Sequence, residues 1–320
     1  MFKKRSLLQF CLVGVSTLLP SFVLAATLHS IIVADINDTG IGADQDLAAM
    51  QKLTDTIRRA TCLSGEDIVI TAGRGKSQQI QDTLNSLRVS PDDVVLFYYS
   101  GHGANPGGGD RWPTLGVEGQ SGSNLLKLTS VKDMLTAKKP RLLITIADAC
   151  NVIVPGITSR GRQQKSQPVG FKKLFLGYEG YIIASSSVPE QYSFGDPQVG
   201  GYFTNQLLAA LNEVQASSNP DWKAIETAAT KEIKVSHPEQ SKQSPQMKVN
   251  VTQIAARGLD NNTWSCAADI GDTPISSSSR DNSVSSNRSN YPKCADGEYK
   301  REGSQDCCLD RSGSKQCFND

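Results

Sequence analysis

Apolar and polar residues are arranged along this chain in a pattern typical of an α/β protein. Short apolar runs without internal alternation, such as Val94–Tyr99 and Leu142–Ile146, predict strands that are covered on both faces. Between such runs, apolar residues recur three and four positions apart, as at Leu47, Met50 and Leu53, which predicts amphipathic helices. Strands that alternate with helices predict a largely parallel sheet with right-handed crossovers and helices on both faces.

The same pattern predicts where the individual elements lie. Strands are predicted at residues 27–36, 67–71, 94–99, 142–146, 181–184 and 247–251. Helices are predicted around residues 47–57, 80–87, 130–135, 202–211 and 222–233. Ser130 and Asp133 resemble a capping box that opens the third helix.

The first 25 residues have the pattern of a secretory signal. Lys3, Lys4 and Arg5 precede an apolar run over residues 7–19, and Ala25 ends the small-residue segment that cleavage requires. Polar residues interrupt the apolar run, which makes it poor as a spanning helix, and no later segment is apolar enough to cross a bilayer. We therefore predict a signal peptide at residues 1–25, a secreted or periplasmic protein, and no membrane span in the mature chain.

The charge balance bears on partners. The chain has 33 Lys and Arg against 32 Asp and Glu, a formal net charge of +1, which becomes −2 when residues 1–25 are removed. A nearly neutral chain lacks the basic footprint of a nucleic-acid-binding protein. We therefore expect no nucleic-acid partner, and the sequence leaves the oligomeric state open.

Five of the eight cysteines lie near the end of the chain. They are Cys266, Cys294, Cys307, Cys308 and Cys317. In an exported protein such a cluster indicates disulfides, which Cys62 joins unless one thiol stays free. Zinc is the alternative, but the cluster has no histidine and no paired CxxC. The predicted organisation is an α/β domain at 26–262, a Ser-rich linker at 263–291 and a small disulfide-rich C-terminal tail at 292–320.

Two of the apolar runs end in a reactive side chain. His102 follows the run that ends at Tyr99, and Cys150 follows the run that ends at Ala147. Because carboxyl ends of parallel strands share one edge of the sheet, we expect both side chains there. An imidazole that accepts a thiol proton creates a cysteine nucleophile, and the N–H groups of Gly103 and Cys150 would stabilise an oxyanion. The alternative is an inert buried thiol beside a structural histidine.

Ser100-Gly101-His102-Gly103 and Asp148-Ala149-Cys150 resemble the two signature segments of the caspase-like cysteine peptidases of family C14, closest to the bacterial metacaspase branch. The resemblance covers residues 27–253 and includes segments 42–49, 184–187, 200–204 and 243–246. It implies a caspase-like three-layer sandwich with a mostly parallel six-stranded sheet, a catalytic dyad of His102 and Cys150, and protein or peptide substrates. The chain departs from the resemblance at residues 151–155, where many metacaspases continue His-Ser-Gly.

Charge predicts which peptide bond is cleaved. True caspases accept an aspartate through an arginine near the first strand and a glutamine two residues before the cysteine. Here no arginine occurs between Thr27 and Thr56, and Asp148 takes the glutamine position. Because carboxylates select a cation, we predict cleavage after Arg or Lys, with Asp148 and Asp46 as the substrate-binding acidic wall. The alternative for Asp46 is a favourable charge at a helix N-terminus.

The sequence leaves self-cleavage, cofactor binding and metal binding undecided. The polar segment 158–168 offers Arg160, Arg162 and Lys165 for self-cleavage, or is an ordinary solvated loop. We predict no cofactor and no metal. Calcium, as in some metacaspases, is the alternative, with five candidate ligands that we interpret as surface carboxylates. These are Asp35, Asp38, Asp44, Asp92 and Asp93.

The predicted function is therefore that of a cysteine endopeptidase. One alternative is a catalytically inactive caspase-like fold that acts as an exported binding protein through its Cys-rich tail. The other is an enzyme that transfers or hydrolyses acyl groups on non-peptide substrates.

Overall fold

The computed structural model describes residues 26–105, 107–118, 125–151 and 170–255, and the backbone of three strands after residue 297. The predicted signal peptide, the Ser-rich linker and the segment considered for self-cleavage lie outside these residues. The chain divides into two compact units, Met1–Gly271 and Asp272–Asp320.

The six strands and five helices that the hydrophobic pattern predicts are all present among the described residues of the first unit, together with seven further strands and one further helix that it did not predict. The strands are β1 Leu28–Ala34, β2 Asp67–Thr71, β3 Val94–Ser100, β4 Gly103–Ala104, β5 Thr114–Leu115, β6 Leu126–Lys127, β7 Leu142–Asp148, β8 Tyr178–Ser185, β9 Gly195–Asp196, β10 Gly200–Gly201, β11 Ile233–His237, β12 Gln240–Gln243 and β13 Gln246–Gln253. The helices are α1 Ala43–Thr61, α2 Lys76–Ser86, α3 Leu128–Thr136, α4 Phe171–Leu176, α5 Tyr202–Gln215 and α6 Trp222–Ala229.

Six of these strands form the central sheet, in the order β13-β8-β7-β3-β1-β2. All neighbours are parallel except β13, which runs antiparallel to β8. This confirms the α/β class and the mostly parallel six-stranded sheet. Parallel strands require crossover connections, and here these contain helices that cover the sheet. The carboxyl ends of the parallel strands all lie at one edge of the sheet, and their amino ends lie at the opposite edge.

Alternating side chains divide the core between the two faces of the sheet. On β3, Leu96 and Tyr98 pack with α1, α4, α5 and α6, whereas Phe97 and Tyr99 pack with α2 and α3. Both sets are fully buried, and each large apolar side chain contributes about 1.5–3 kcal/mol. The result is three layers, as the resemblance implied, and the parity of a strand residue decides which layer it faces.

Two predicted helix boundaries are wrong. Helix α3 begins at Leu128 with Lys127 as its N-cap residue, so Ser130 lies within the helix and does not cap it. Helix α6 ends at Ala229, and the side-chain amide of Gln206 donates hydrogen bonds to the carbonyls of Ala229 and Lys231, which lie at and beyond this helix end. The chain then turns into the β11–β12 hairpin, which the apolar spacing did not predict.

The second unit is described only by its backbone. Its strands are β14 Glu298–Glu302, β15 Gln305–Leu309 and β16 Lys315–Asn319, which pair antiparallel in that order. Over the part of the chain that the structure describes, no helix has the length and apolar character needed to span a membrane.

Candidate active site

Strand register places the predicted histidine and cysteine at the same edge of the sheet. Strands β3 and β7 are parallel neighbours, and their last residues, Ser100 and Asp148, are paired across the ladder. His102 and Cys150 each follow two residues later, and both line one cavity of about 370 Å³. The same cavity is lined by Asp46 and Asp148, so the four predicted catalytic and substrate-binding side chains are brought together.

The main chain of His102 is fixed from two sides. Its carbonyl accepts hydrogen bonds from the Tyr99 hydroxyl at 2.7 Å and from the Gly116 N–H at 2.8 Å. A Cβ at Gly101 would lie 2.7 Å from that hydroxyl oxygen, so a larger residue would displace Tyr99. The short segment after β3 is thus rigid although it leaves regular structure, and the histidine is held at the cavity.

An aspartate contacts the imidazole. His102 Nε2 lies 2.9 Å from Oδ2 of Asp38, which belongs to the loop between β1 and α1. The other carboxylate oxygen of Asp38 accepts a hydrogen bond from the Gly40 N–H at 2.9 Å. From the sequence, Asp38 was a candidate only for calcium binding, because nothing in the pattern places this loop against His102.

The backbone around Cys150 is anchored by the serines that follow β8. The Ala149 N–H donates to Ser186 Oγ at 2.9 Å, and the Ser186 and Ser187 hydroxyls donate to the Ala149 carbonyl. These serines belong to one of the segments that supported the family resemblance. Their hydroxyls satisfy the backbone polar groups that the end of a buried strand would otherwise leave without partners.

The thiol of Cys150 lies against Ser193. Its Sγ accepts a hydrogen bond from the Ser193 N–H at 3.3 Å and lies 3.6 Å from the Ser193 carbonyl oxygen, to which the thiol can donate. Burial raises the pKa of the Cys150 thiol to about 11, and the nearby charge of Asp148 raises it further, while the Ser193 N–H works in the opposite direction. The resting group is therefore a neutral thiol.

Gly103 packs directly against the cysteine. A Cβ at this position would lie 2.5 Å from the carbonyl oxygen of Cys150 and 2.7 Å from the Cβ of Ala149, so only glycine fits. Gly103 is held there as part of β4, which pairs with β5 through Leu115. The two residues predicted to form an oxyanion site are thus adjacent in the structure.

Asp46 is a buried carboxylate on the first turns of α1. Its Oδ1 accepts from the Gly201 N–H at 2.8 Å, and its Oδ2 accepts from the Ser100 hydroxyl at 2.7 Å. Helix α1 starts at Gly42, which has a left-handed conformation and no side-chain cap. The Asp46 side chain therefore reaches across to β10 and the end of β3 and makes no capping bond at its own helix.

Asp148 ends β7 and is equally buried. Its Oδ1 accepts from the Ser193 hydroxyl at 2.7 Å, and its Oδ2 accepts from both the N–H and the hydroxyl of Thr204, at 3.0 and 2.7 Å. The Thr204 hydroxyl in turn shares a 2.6 Å hydrogen bond with Tyr98. Ser193 thus contacts both the predicted nucleophile and the predicted acidic wall.

The two carboxylates converge on a glycine. A Cβ on Gly201 would lie 2.1 Å from Asp148 Oδ2 and 3.0 Å from Asp46 Oδ2, and a Cβ on Gly200 would lie 2.3 Å from Asp46 Oδ1. Burial, and then the charge of Asp148, raise the pKa of Asp46 to about 8, and burial also raises the pKa of Asp148. All the donors named above are neutral, so near pH 7 this pair retains a proton and can accept a cation.

Several residues of the site were not predicted individually. Ser193 lies in a loop without a recognisable motif, whereas Thr204 lies in the Gly-Gly-Tyr-Phe-Thr segment that the resemblance had marked. Gln243 and Gln246, from another marked segment, are buried. The Gln243 amide donates to the Ser186 carbonyl, and that of Gln246 to the Ser187 carbonyl, both at 2.9 Å. Both glutamines support the strand ends.

Metal ligation and disulfide bonding are two points that the sequence left open. Among the described residues, no group of three or more His, Cys, Asp or Glu side chains is arranged to hold a metal ion. The prediction of no cofactor and no metal, with calcium as the alternative, stays a prediction. Cys62 is disulfide-bonded and Cys150 is a free thiol. The cysteines of the predicted tail have side chains outside the described residues.

Comparison with known proteins gives a family. The family model of the caspase domain, peptidase C14, matches residues 33–255, which is more than half of the chain. No curated protein sequence matches significantly. Among solved structures, caspase-1 from Spodoptera frugiperda is similar at 17% identity and a TM-score of 0.43, over 70% of this chain and 88% of that chain. The chain therefore belongs to peptidase family C14, the family of the caspase domain.

Proposed function

We propose that this protein is a cysteine endopeptidase that cleaves peptide bonds after Arg or Lys. Cys150 is the nucleophile, His102 is the general base, and Asp46 and Asp148 bind the basic side chain of the substrate. One observation supports this best: an imidazole, a thiol and two buried carboxylates line the same cavity. The chain belongs to a family of cysteine peptidases, and the side chains that line the cavity are those that such a reaction needs.

The reaction begins with transfer of the Cys150 thiol proton to His102. The resulting thiolate attacks the carbonyl carbon of the scissile bond, and the N–H groups of Gly103 and Cys150 stabilise the oxyanion. The imidazolium of His102 then gives its proton to the leaving amine, and water hydrolyses the thioester. With the thiol pKa raised to about 11, little thiolate exists at rest, so the base is needed for every turnover.

Specificity follows from the charge of the acidic pair. A guanidinium or ammonium group that enters the cavity displaces the proton that the pair retains and lets both carboxylates ionise. An aspartate side chain would instead bring a third carboxylate against the pair, which repels it. Gly200 and Gly201 leave the space that the two carboxylates occupy. A larger residue at either position would displace a carboxylate from the cavity.

The test compares fluorogenic peptides that end in Arg, Lys and Asp, together with an arginine-based thiol-reactive inhibitor. Hydrolysis after Arg or Lys and labelling at Cys150 are expected, and Cys150→Ala and His102→Ala should both lose hydrolysis. A clear preference for Asp would disprove the specificity. Absence of labelling at Cys150 in wild-type protein would disprove the peptidase assignment.

One observation favours a second candidate function. The neutral, hydrogen-bonded thiol is also what a catalytically inactive caspase-like protein would have, and such a protein would act by binding a partner. The inhibitor separates the two functions. In an active peptidase, His102→Ala should slow the labelling of Cys150, whereas in an inactive fold the labelling rate should not depend on His102.

We also propose that the protein is exported, as residues 1–25 predict, and that it belongs to the metacaspase branch. N-terminal sequencing of the protein recovered from its native cell tests the first point. A mature chain that begins near Ala26 would support export, whereas retention of Met1 would contradict it.

A further inference from the structure

We propose that Asp38 is a positioning residue for His102 and completes a Cys-His-Asp arrangement in this protein. The inference rests on the proposed function, since a positioning residue has meaning only if His102 acts as the base. It starts from the contact between Asp38 Oδ2 and His102 Nε2, at 2.9 Å.

The contact decides which ring nitrogen is the base. An ionised carboxylate can only accept hydrogen bonds, so the Nε2 atom that faces Asp38 must carry a proton. In neutral imidazole the lone pair is then on Nδ1, which is the atom that takes the proton of the Cys150 thiol. When that transfer occurs, Nε2–H stays on Asp38 and the new imidazolium is paired with a carboxylate.

Asp38 is itself held in place for this contact. Its Oδ1 accepts from the Gly40 N–H at 2.9 Å, so one carboxylate oxygen fixes the loop and the other meets the imidazole. The loop continues into Ile41 and Gly42, where α1 begins. The start of the helix that bears Asp46 is therefore linked to the loop that orients the imidazole.

The contact between Asp38 and His102 is partly exposed to solvent. The side chain of Asp38 is 40% exposed and that of His102 is 25% exposed. A contact at this exposure contributes little to stability, since even a charged pair there is typically worth about 0–1 kcal/mol. Removing it should therefore change the reaction much more than the fold, which allows the two effects to be separated.

The key variant is Asp38→Asn. Its carbonyl oxygen can keep the bond from Gly40, but its NH₂ group would face Nε2 and favour the tautomer with the proton on Nδ1, which cannot accept from a thiol. We expect kcat for an Arg peptide to fall about 10- to 100-fold while KM changes less than about twofold. Asp38→Glu should recover part of the loss, because it restores an acceptor.

Asp38→Ala allows a second test. It removes both contacts and leaves space beside an exposed imidazole, so added formate should restore part of the lost kcat. Asp44→Asn is the matched control, since Asp44 is an exposed carboxylate on the first turn of α1 and should keep wild-type kcat. Thermal unfolding of each variant verifies that the fold is retained.

The outcomes separate this inference from the proposed function. If wild-type protein neither labels at Cys150 nor hydrolyses Arg peptides, the proposed function is wrong and the inference is overturned with it. If wild type is active and Asp38→Asn keeps kcat within about twofold, only the inference is overturned. A raised KM with unchanged kcat would assign Asp38 to substrate binding, and an Asp38→Ala loss without formate rescue would make its role structural; both overturn the inference.

Discussion

Buried carboxylates lie at both edges of the central sheet, but they are satisfied in different ways. At the amino ends of the strands, Asp93 accepts from the N–H groups of Thr27 and Ser90 at 2.8 and 2.7 Å and lies 2.9 Å from His29 Nε2. At the carboxyl ends, Asp46 and Asp148 accept from neutral donors and line an open cavity.

A second carboxylate at the amino edge follows the same rule as Asp93. Asp67, the first residue of β2, contacts the Arg58 guanidinium at 2.8 Å and accepts from the Ser30 and Thr54 hydroxyls. Each of these two carboxylates at the amino edge therefore contacts a basic side chain of the protein itself, whereas the hydrogen bonds to Asp46 and Asp148 come from neutral backbone and hydroxyl groups. The first edge therefore joins elements of the fold, and the difference supports the proposal that a cation of the substrate completes the second edge.

Removal of the acidic pair, Asp46 and Asp148, should have the largest consequence for activity. The double variant Asp46→Asn with Asp148→Asn should lower kcat/KM for Arg peptides by about a hundredfold or more, because the bound cation loses both of its partners. Labelling of Cys150 by a small alkylating reagent should not decrease, since Asp148 raises the pKa of the thiol. Unchanged hydrolysis of Arg peptides would show that the cation binds elsewhere.

Removal of a carboxylate at the amino ends of the strands should lower the stability of the fold and leave substrate specificity unchanged. Asp93→Ala leaves the Thr27 and Ser90 N–H groups without their acceptor, so we expect the free energy of unfolding to fall by about 2 kcal/mol. Urea unfolding measures the loss, and the neighbouring exposed Asp92, changed to Ala, is the control. If Asp93→Ala altered the ratio of Arg to Asp peptide hydrolysis, the division into structural and binding edges would be wrong.

Binding of a cation to the acidic pair should release a proton. Since the pKa of Asp46 is raised to about 8, a cation that binds the pair must displace a proton below that pH. The affinity of Cys150→Ala for an Arg peptide should therefore rise with pH, by at most about tenfold per pH unit, and level off above pH 8. Binding measured by fluorescence anisotropy tests this, and Asp46→Asn should flatten the curve. A curve that falls as the pH rises would contradict the sign.

Much of this arrangement could be predicted from the sequence. Apolar runs that end at His102 and Cys150 located the two strands, and the parallel sheet then required both side chains at one edge. Asp148 could be predicted as part of the site because it precedes the nucleophile by two residues. These inferences succeed because strand positions and side-chain alternation are determined by short stretches of sequence.

Contacts between distant loops could not be predicted in the same way. Asp38 and Ser193 meet His102 and Cys150 only after the chain folds, and neither lies in a pattern with a fixed period. The β11–β12 hairpin was also missed, because its half-exposed strands lack a continuous apolar run. Long-range polar contacts of this kind depend on loop geometry, which hydrophobic spacing does not encode.

The smallest expected effect concerns the stability of the acidic pair itself. Asp46 binds its proton more tightly in the folded chain than in the unfolded chain, so its contribution to stability falls as pH rises from its ordinary value of 3.8 to about 8. Asp46→Asn removes that loss, and the asparagine can accept from the Gly201 N–H and donate to the Ser100 hydroxyl oxygen, so we expect it to stabilise the fold by about 1 kcal/mol at alkaline pH and by less in acid. Asp93→Asn, which replaces a carboxylate that pairs with His29, should instead destabilise it. Unfolding curves of both variants at two pH values measure the difference, and a loss of stability in both would mean that the two edges hold their carboxylates for the same reason.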